Sequence, residues 1–207
     1  MRYLRNRPFL LLTLICIAIF ITHLDALWVN IMEARNFVTA REMLEDSNWL
    51  LTTLNGEPRY QKPPLPTWLS AGSGFLFGIK SVFAMRLPAA LVSILMVLTT
   101  YVFTKKLATN NRYAFVSSLL LATSFFIVFS GRNGQWDIFT HGFMMVCIYQ
   151  LYLLFSTQEK IYKRALIAAV FFGCSFMSKG PVSLYVLLLP FLTAYGLVFT
   201  YKGKRKT

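Results

Sequence analysis

The sequence predicts an all-α, polytopic transmembrane helix bundle with about six spans, and three observations carry the prediction. Apolar residues make up 56% of the 207 positions and charged residues 14%, against about 25% charged in a soluble domain. Several apolar runs approach the length of about 20 residues needed to cross a hydrocarbon core. The 21 Lys and Arg, set against 8 Asp and Glu, are unevenly shared among the turns, as the positive-inside bias requires. With a mean hydropathy of +0.54, a soluble globule of this length cannot hide its apolar surface, and intrinsic disorder is excluded. Cys16, Cys147 and Cys174 all sit inside apolar runs, so there is no disulfide scaffold. The net charge of +13 follows from topology, and no nucleic-acid partner is predicted.

The first span is read at 8–29, after Arg2, Arg5 and Arg7. It is a retained helix, because no small-x-small cleavage site follows it. The others are 87–104, opened by Pro88, then 113–130, 138–156, 165–178, and 181–201 directly after Lys179-Gly180-Pro181. The stretch 65–79 is short and contains Pro66, Gly72, Gly74 and Gly78. If it does not cross, one side of the membrane holds 13 cations and the other 8; if it crosses, the cytoplasmic side holds 7 and the outside 14. The first arrangement obeys the positive-inside rule, so 65–79 lies along the interface or dips in and returns. Both termini are then cytoplasmic, and 30–85 forms the first outer loop with its interfacial helices. Of the eight acidic residues only Glu159 is cytoplasmic, so any chemistry lies on the outer face. The chain reads as a single transmembrane domain, 1–207. Its basic tail at 202–207 just after a span reads as the end of the N-terminal part of a longer protein, inactive by itself.

The outer loop opens with an amphipathic helix. At about 100° per residue, Arg35, Thr39, Glu42 and Asp46 share one face and Glu33, Phe37, Ala40 and Leu44 another. Glu33 on the apolar side is either a first-turn acid favoured by the helix dipole or a site residue. Asn55-Gly56 marks a turn. Pro63, Pro64 and Pro66 stiffen the backbone after Lys62. Lys62 beside Arg59 suits a phosphate, or both side chains snorkel towards lipid head groups. Arg132 and Asp137 fall at membrane depth, where ionisable groups are costly, and either serve a site or pair with each other. Lys179 precedes the Gly180-Pro181 break, as a site cation or as a plain turn residue. Together Arg35, Lys62, Arg132 and Lys179 are the candidate phosphate ligands. Glu33 and Asp137 are the candidate catalytic carboxylates, Glu33 for chemistry and Asp137 for orientation. No P-loop, G-x-G-x-x-G, D-x-D, H-E-x-x-H or C-x-x-C motif is present. His23 and His141 are the only histidines, so no metal ligand set is assigned; His141 lies one turn after Asp137.

The segments EARNFVTAREML, LNGEPRYQKPPLPTWL, RLPAAL, the Arg132–Asp137 stretch and MSKGPVSL, in this order, resemble the bacterial membrane glycosyltransferases of the aminoarabinose transferase and protein O-mannosyltransferase type. The resemblance runs from about 30 to 185. It implies a GT-C fold and a polyprenyl-phosphate-linked sugar as donor, with Arg35 and Lys62 at its phosphate. It also implies a glycolipid or protein acceptor on the outer face of the bacterial inner membrane, and membrane lipids as partners. Two positions depart from the family pattern. Met32-Glu33 stands where the family has an Asp-Glu pair, which leaves the general base to Glu33, to Asp137, or to an acceptor that needs none. Gln61-Lys62 stands where the family has an acid before the Lys, so no cofactor is assigned and a divalent metal finds little support. A transporter or flippase for the same lipid-linked sugar, and a non-catalytic membrane subunit, are the alternative readings.

Overall fold

The computed structural model describes residues 7–157 and 159–204. Arg2, Arg5, Arg205 and Lys206, four of the cations behind the predicted topology, lie outside the described residues. The chain is a helical bundle built around one long helix. In order, α1 is Pro8–Phe20, α2 Ile31–Glu45, α3 Leu65–Phe77, α4 Val82–Ala108, α5 Asn111–Thr123, α6 Phe125–Arg132, α7 Trp136–Thr157, α8 Ile161–Lys179 and α9 Leu189–Lys204. Two short strands, β1 Thr53–Leu54 and β2 Glu57–Pro58, pair antiparallel between α2 and α3. Helix α4 packs against α1, α3, α5, α6 and α7, and α8 packs along α7.

Helices α4, α7 and α8 are each long and apolar enough to cross a membrane, and the chain is a multi-pass membrane protein. The run expected at 113–130 breaks at Ser124 into α5 and α6, bent by 59°. Ser124 takes an extended ψ of 134°, which interrupts the i→i−4 ladder. The bend lets α6 approach the bundle closely: a Cβ at Gly131 would lie 2.2 Å from Ser93 Oγ and 3.1 Å from the Phe20 ring. A second close approach joins α7 to α4, where a Cβ at Gly142 would lie 2.5 Å from Val92 Cγ1.

The first run also ends sooner than its composition predicts. Helix α1 stops at Phe20, residues 21–25 turn, and His23 adopts φ +46°. The reason is external to the run. Arg132 donates to Ile19 O (2.6 Å) and His23 O (2.7 Å), and Arg86 donates to Leu24 O (2.8 Å) and Leu27 O (3.0 Å). Two arginines thus satisfy carbonyls that a continued helix would have satisfied internally.

The start of the 30–85 segment folds as its periodicity predicts. Asn30 caps α2, its side chain accepting from the backbone N–H groups of Met32 and Glu33, both at 3.0 Å. The apolar face of α2 buries Phe37, Ala40 and Met43 against Ala71 of α3 and Met85 of α4. Asn36 joins the same contact through Thr67 (2.6 Å) and Ser70 (3.2 Å). Helix α3 has 13 residues, about 20 Å at the helical rise. The polar face of α2 carries the hairpin. Asn55 and Gly56 both take positive φ, +56° and +77°, the backbone of a tight two-residue hairpin turn. Glu42 accepts from Asn55 N (2.6 Å) and Thr53 Oγ1. The polar face of α2 is therefore the seat on which the Lys62 segment is mounted.

Candidate functional site

The candidate site lies where that hairpin, the Pro-rich turn and the start of α7 meet. Arg59 leaves β2 with its backbone locked: its N–H donates to Thr52 O (2.8 Å) and its carbonyl accepts from Thr52 Oγ1 (2.5 Å). Its guanidinium Nη1 donates to Arg35 O and Thr39 Oγ1, both at 2.8 Å. Burial, and then the neighbouring Arg35 charge, lower the Arg59 guanidinium from its ordinary value. Lys62, three residues on, is half-buried, with Nζ 6.0 Å from the centroid of the Trp136 ring, within cation–π range. Arg59, Lys62, Pro63 and Pro64 border an open depression of about 410 Å³ that also touches Leu50, Thr52, Tyr60 and Gln61. Arg35 is exposed beside it.

The next residue along α7, Asp137, forms an ion pair with Lys179 at the end of α8; their side chains are 27% and 31% exposed. The Arg132–Asp137 pair that the spacing allowed does not form, because the Arg132 guanidinium is turned onto the carbonyls of α1. Arg132 borders neither the depression nor the small crevice between Lys62 and Trp136. His141, one turn beyond Asp137, places Nδ1 3.2 Å from the buried Ser183 Oγ.

Glu33 is enclosed. Its carboxylate receives Arg86 Nε at 2.6 Å and Nη2 at 2.8 Å, and both side chains are fully buried. Burial raises the Glu33 carboxyl above its ordinary value, and the Arg86 hydrogen bonds and charge act against that. Arg86 also reaches Leu24 O, Leu27 O and Trp28 O, so one guanidinium ties α2, the 21–30 connection and the start of α4 together. Met32, beside Glu33, is 50% exposed. The structure thus brings Lys62 together with Arg59, sets Arg35 next to Arg59 and joins Lys179 to Asp137, but keeps Glu33 and Arg132 in structural contacts.

Three residues outside the sequence candidates matter here. In the sequence Arg86 opens the RLPAAL segment as a charge at the head of an apolar run, which is itself a signal at membrane depth. Arg59 was read as a neighbour of Lys62, and Trp136 carried no sequence signal. Among the described residues, no three His, Cys, Asp or Glu side chains gather as a metal set would require, and no carboxylate pairs with Arg35, Arg59 or Lys62. Chemically, the arrangement offers uncompensated cations to an anion and an accessible carboxylate one residue beyond the Trp136 ring.

The chain is similar to an undecaprenyl phosphate-alpha-4-amino-4-deoxy-L-arabinose arabinosyl transferase of Wigglesworthia glossinidia brevipalpis, at 25% identity over 172 residues, 82% of this chain and 30% of the relative. A transferase of the same name from Pseudomonas savastanoi pv. phaseolicola is 27% identical over 158 residues, 74% of this chain and 29% of its own. The chain therefore spans about 30% of the length of the curated relatives it matches. The fold matches the crystal structure of ArnT from Cupriavidus metallidurans bound to undecaprenyl phosphate, with a TM-score of 0.81 over 95% of this chain and 37% of that one. The apo form of the same protein gives 0.79, covering 91% and 35%; both are 20% identical in sequence, so the likeness is one of fold, the GT-C bundle. A family model for dolichyl-phosphate-mannose-protein mannosyltransferases matches residues 61–206. That match begins at the residue before Lys62 and takes in α3 to α9, well over half the sequence, and the chain belongs to that family.

Proposed function

We propose that this chain forms the donor-phosphate side of a glycosyltransferase that moves a sugar from a polyprenyl-phosphate-linked donor to a glycolipid or protein acceptor. The reaction takes place on the outer face of the bacterial inner membrane. The observation that carries this reading is the pair Lys62 and Arg59, with Arg35 next to Arg59, all without a carboxylate partner among the described residues, the pair bordering a depression between the hairpin and the Pro-rich turn. Cations held in place before the reaction stabilise the charge that develops on a leaving phosphate. The names of the relatives, and the undecaprenyl phosphate bound in the fold neighbour, support the same donor class. In the reaction an acceptor oxygen bonds to the sugar's anomeric carbon as the bond to the donor phosphate oxygen breaks. The polyprenyl phosphate leaves with its charge against Lys62, and Asp137 takes the acceptor proton where the acceptor has one to lose.

The test is donor binding by the full-length protein in nanodiscs. Losing one charge-assisted hydrogen bond to a desolvated phosphate costs on the order of 1.5–3 kcal/mol, so Lys62→Ala is expected to weaken undecaprenyl phosphate binding roughly tenfold to over a hundredfold. Lys62→Arg restores only part of this, because a planar fork does not reproduce a compact ammonium seated over Trp136. Lys105→Ala, at the cytoplasmic end of α4, is the control and leaves binding unchanged. Equal, small effects at positions 62 and 105 would make Lys62 a snorkelling side chain and remove the proposal's support.

The same reading keeps six spans with both termini cytoplasmic: α4, α7 and α8, the bent α5–α6 pair, and the shorter apolar helices Pro8–Phe20 and Leu184–Val198. Single cysteines at the exposed positions Glu57 and Ala108 report on it. An impermeant thiol reagent added outside is expected to label position 57 and spare 108; labelling of 108 contradicts the arrangement.

A further inference from the structure

The start of α7 and the end of α8 are joined by two successive side-chain bridges. The first is the ion pair of Asp137 and Lys179. The second sets His141 Nδ1 3.2 Å from Ser183 Oγ. Each partner of the second bridge lies four residues beyond its counterpart in the first, so both bridges span 42 positions. On α7 that spacing is one helical turn. Across the contact it is not, because α8 ends between Lys179 and Ser183. Gly180 takes φ +69° and ψ −147°, a backbone conformation open to glycine and to hardly any other residue, and Pro181 brings no N–H. The backbone bonds here stay local: Gly180 N donates to Phe176 O (2.8 Å) and Tyr185 N to Pro181 O (3.3 Å). A five-residue π-helical turn, Leu184–Leu188, follows at once, a rarely used geometry. Lys179 is thus the last residue of a regular helix with an irregular segment behind it, and Ser183 ties that segment back to α7. Ser183 is fully buried and His141 half-buried, so water competes little for their bond, and losing one partner strands the other. The ion pair is different. Both its side chains are partly exposed, where a flexible lysine stem gains little by holding one geometry. The exposed pair needs a fixed backbone, and the buried bridge supplies it.

We propose that His141 and Ser183 are a positioning pair: their hydrogen bond fixes the chain beyond the end of α8 and so holds the Lys179 ammonium on the Asp137 carboxylate. This rests on the reading of Asp137 as the group that takes the acceptor proton. His141 and Ser183 touch no reacting atom; they act through Lys179, which fixes where the Asp137 carboxylate points.

The experiment uses the full-length protein in nanodiscs and reads the rate at which a water-soluble amine reagent acetylates Lys179, located by peptide mass spectrometry. Asp137→Ala gives the rate of a released Lys179. His141→Ala and Ser183→Ala are each expected to raise the wild-type rate towards that limit, and the double variant to raise it no further, since the two changes remove one interaction. His141→Asn places an amide where Nδ1 stood, able to donate or accept, and is expected to return the rate close to wild type. His141→Gln carries its amide one bond further out and is expected to restore less. Ser175→Ala removes another buried α7–α8 bond, from Ser175 Oγ to Thr140 O (2.7 Å), but within the regular part of α8, and is expected to leave the Lys179 rate at its wild-type value. Turnover is read with undecaprenyl phosphate-alpha-4-amino-4-deoxy-L-arabinose as the probe donor, the sugar lipid in the relatives' names. His141→Ala is expected to lower kcat about tenfold to a hundredfold, the cost of misplacing a reacting group by about 1 Å, with KM for the donor within about threefold and recovery in His141→Asn. Wild-type labelling of Lys179 in both His141→Ala and Ser183→Ala overturns the proposal. So does an equal rise in Ser175→Ala, which would make the bridge one packing bond among several, and so do additive effects of the two single changes. If His141→Ala releases Lys179 while Asp137→Asn keeps near wild-type turnover, the positioning pair stands and the base reading falls. If Lys179 stays protected in His141→Ala while Asp137→Asn loses turnover, the base reading stands and this one falls.

Discussion

Replacing Arg86 with alanine is expected to destabilise the protein by about 3–5 kcal/mol, the cost of removing one partner from a buried ion pair. The substitution leaves the Glu33 carboxylate buried and unpaired, and withdraws donors from Leu24 O, Leu27 O and Trp28 O. No other element replaces these contacts, so the 21–30 connection and α2 lose their common anchor. Because α2 carries Arg35 and braces Arg59, donor binding falls with stability. Arg86→Lys keeps the charge but supplies one point donor where five contacts converge, and is expected to recover only a minor part. Thermal unfolding in detergent measures the loss. Pairing Arg86→Met with Glu33→Leu is expected to be less damaging than Arg86→Ala alone, since an apolar pair strands no charge. Strictly additive losses would show that the two side chains do not depend on each other.

The carboxylates separate on the same logic, and Asp137 carries the larger expected catalytic effect. Asp137 is partly exposed and pairs with Lys179, whereas both oxygens of Glu33 are held by Arg86. A general base contributes about 10² to 10⁴ in rate, so Asp137→Asn is expected to lower turnover by that range while donor affinity stays near wild type. Glu33→Gln is expected to act through the fold: lower thermal stability and weaker donor binding, with turnover falling in step. Two results would reverse the assignment. Reduced turnover in Glu33→Gln with stability and donor affinity intact would make Glu33 the base despite its enclosure. Near wild-type turnover in Asp137→Asn would point to an acceptor, such as a phosphate, that needs no base.

The local part of this structure is legible in the sequence and the long-range part is not. Helix α2 shows in its periodicity, down to Glu33 lying on the apolar side, because the helical repeat acts within a few residues. What Glu33 does there depends on Arg86, 53 positions away, and no pattern within either segment announces the partner. The same holds for α1. Its composition favours a helix to residue 29, and it stops at Phe20 because Arg86 and Arg132, 62 and 113 positions from the carbonyls they bind, hold the following turn open. The bend at Ser124 lacks a proline or glycine to mark it and is tied to the approach of Gly131 to Ser93 and Phe20. The Pro-rich turn after Lys62 identifies a rigid presentation, but the partner ring, Trp136, comes from α7. Charge counting gathers these cations from the sequence; their division into Lys62 with Arg59 at the depression, Arg35 next to Arg59, and Arg132 on the carbonyls of Ile19 and His23, required the fold.

A structure of the full-length protein with undecaprenyl phosphate in a lipid nanodisc decides whether Lys62 marks the donor-phosphate site. The phosphate is expected within hydrogen-bonding distance of Lys62 Nζ, at the depression bordered by Lys62 and Arg59. A phosphate seated away from Lys62, for instance against the Lys105–Lys106 end of α4, with the depression at Lys62 empty, would show that Lys62 is not its ligand.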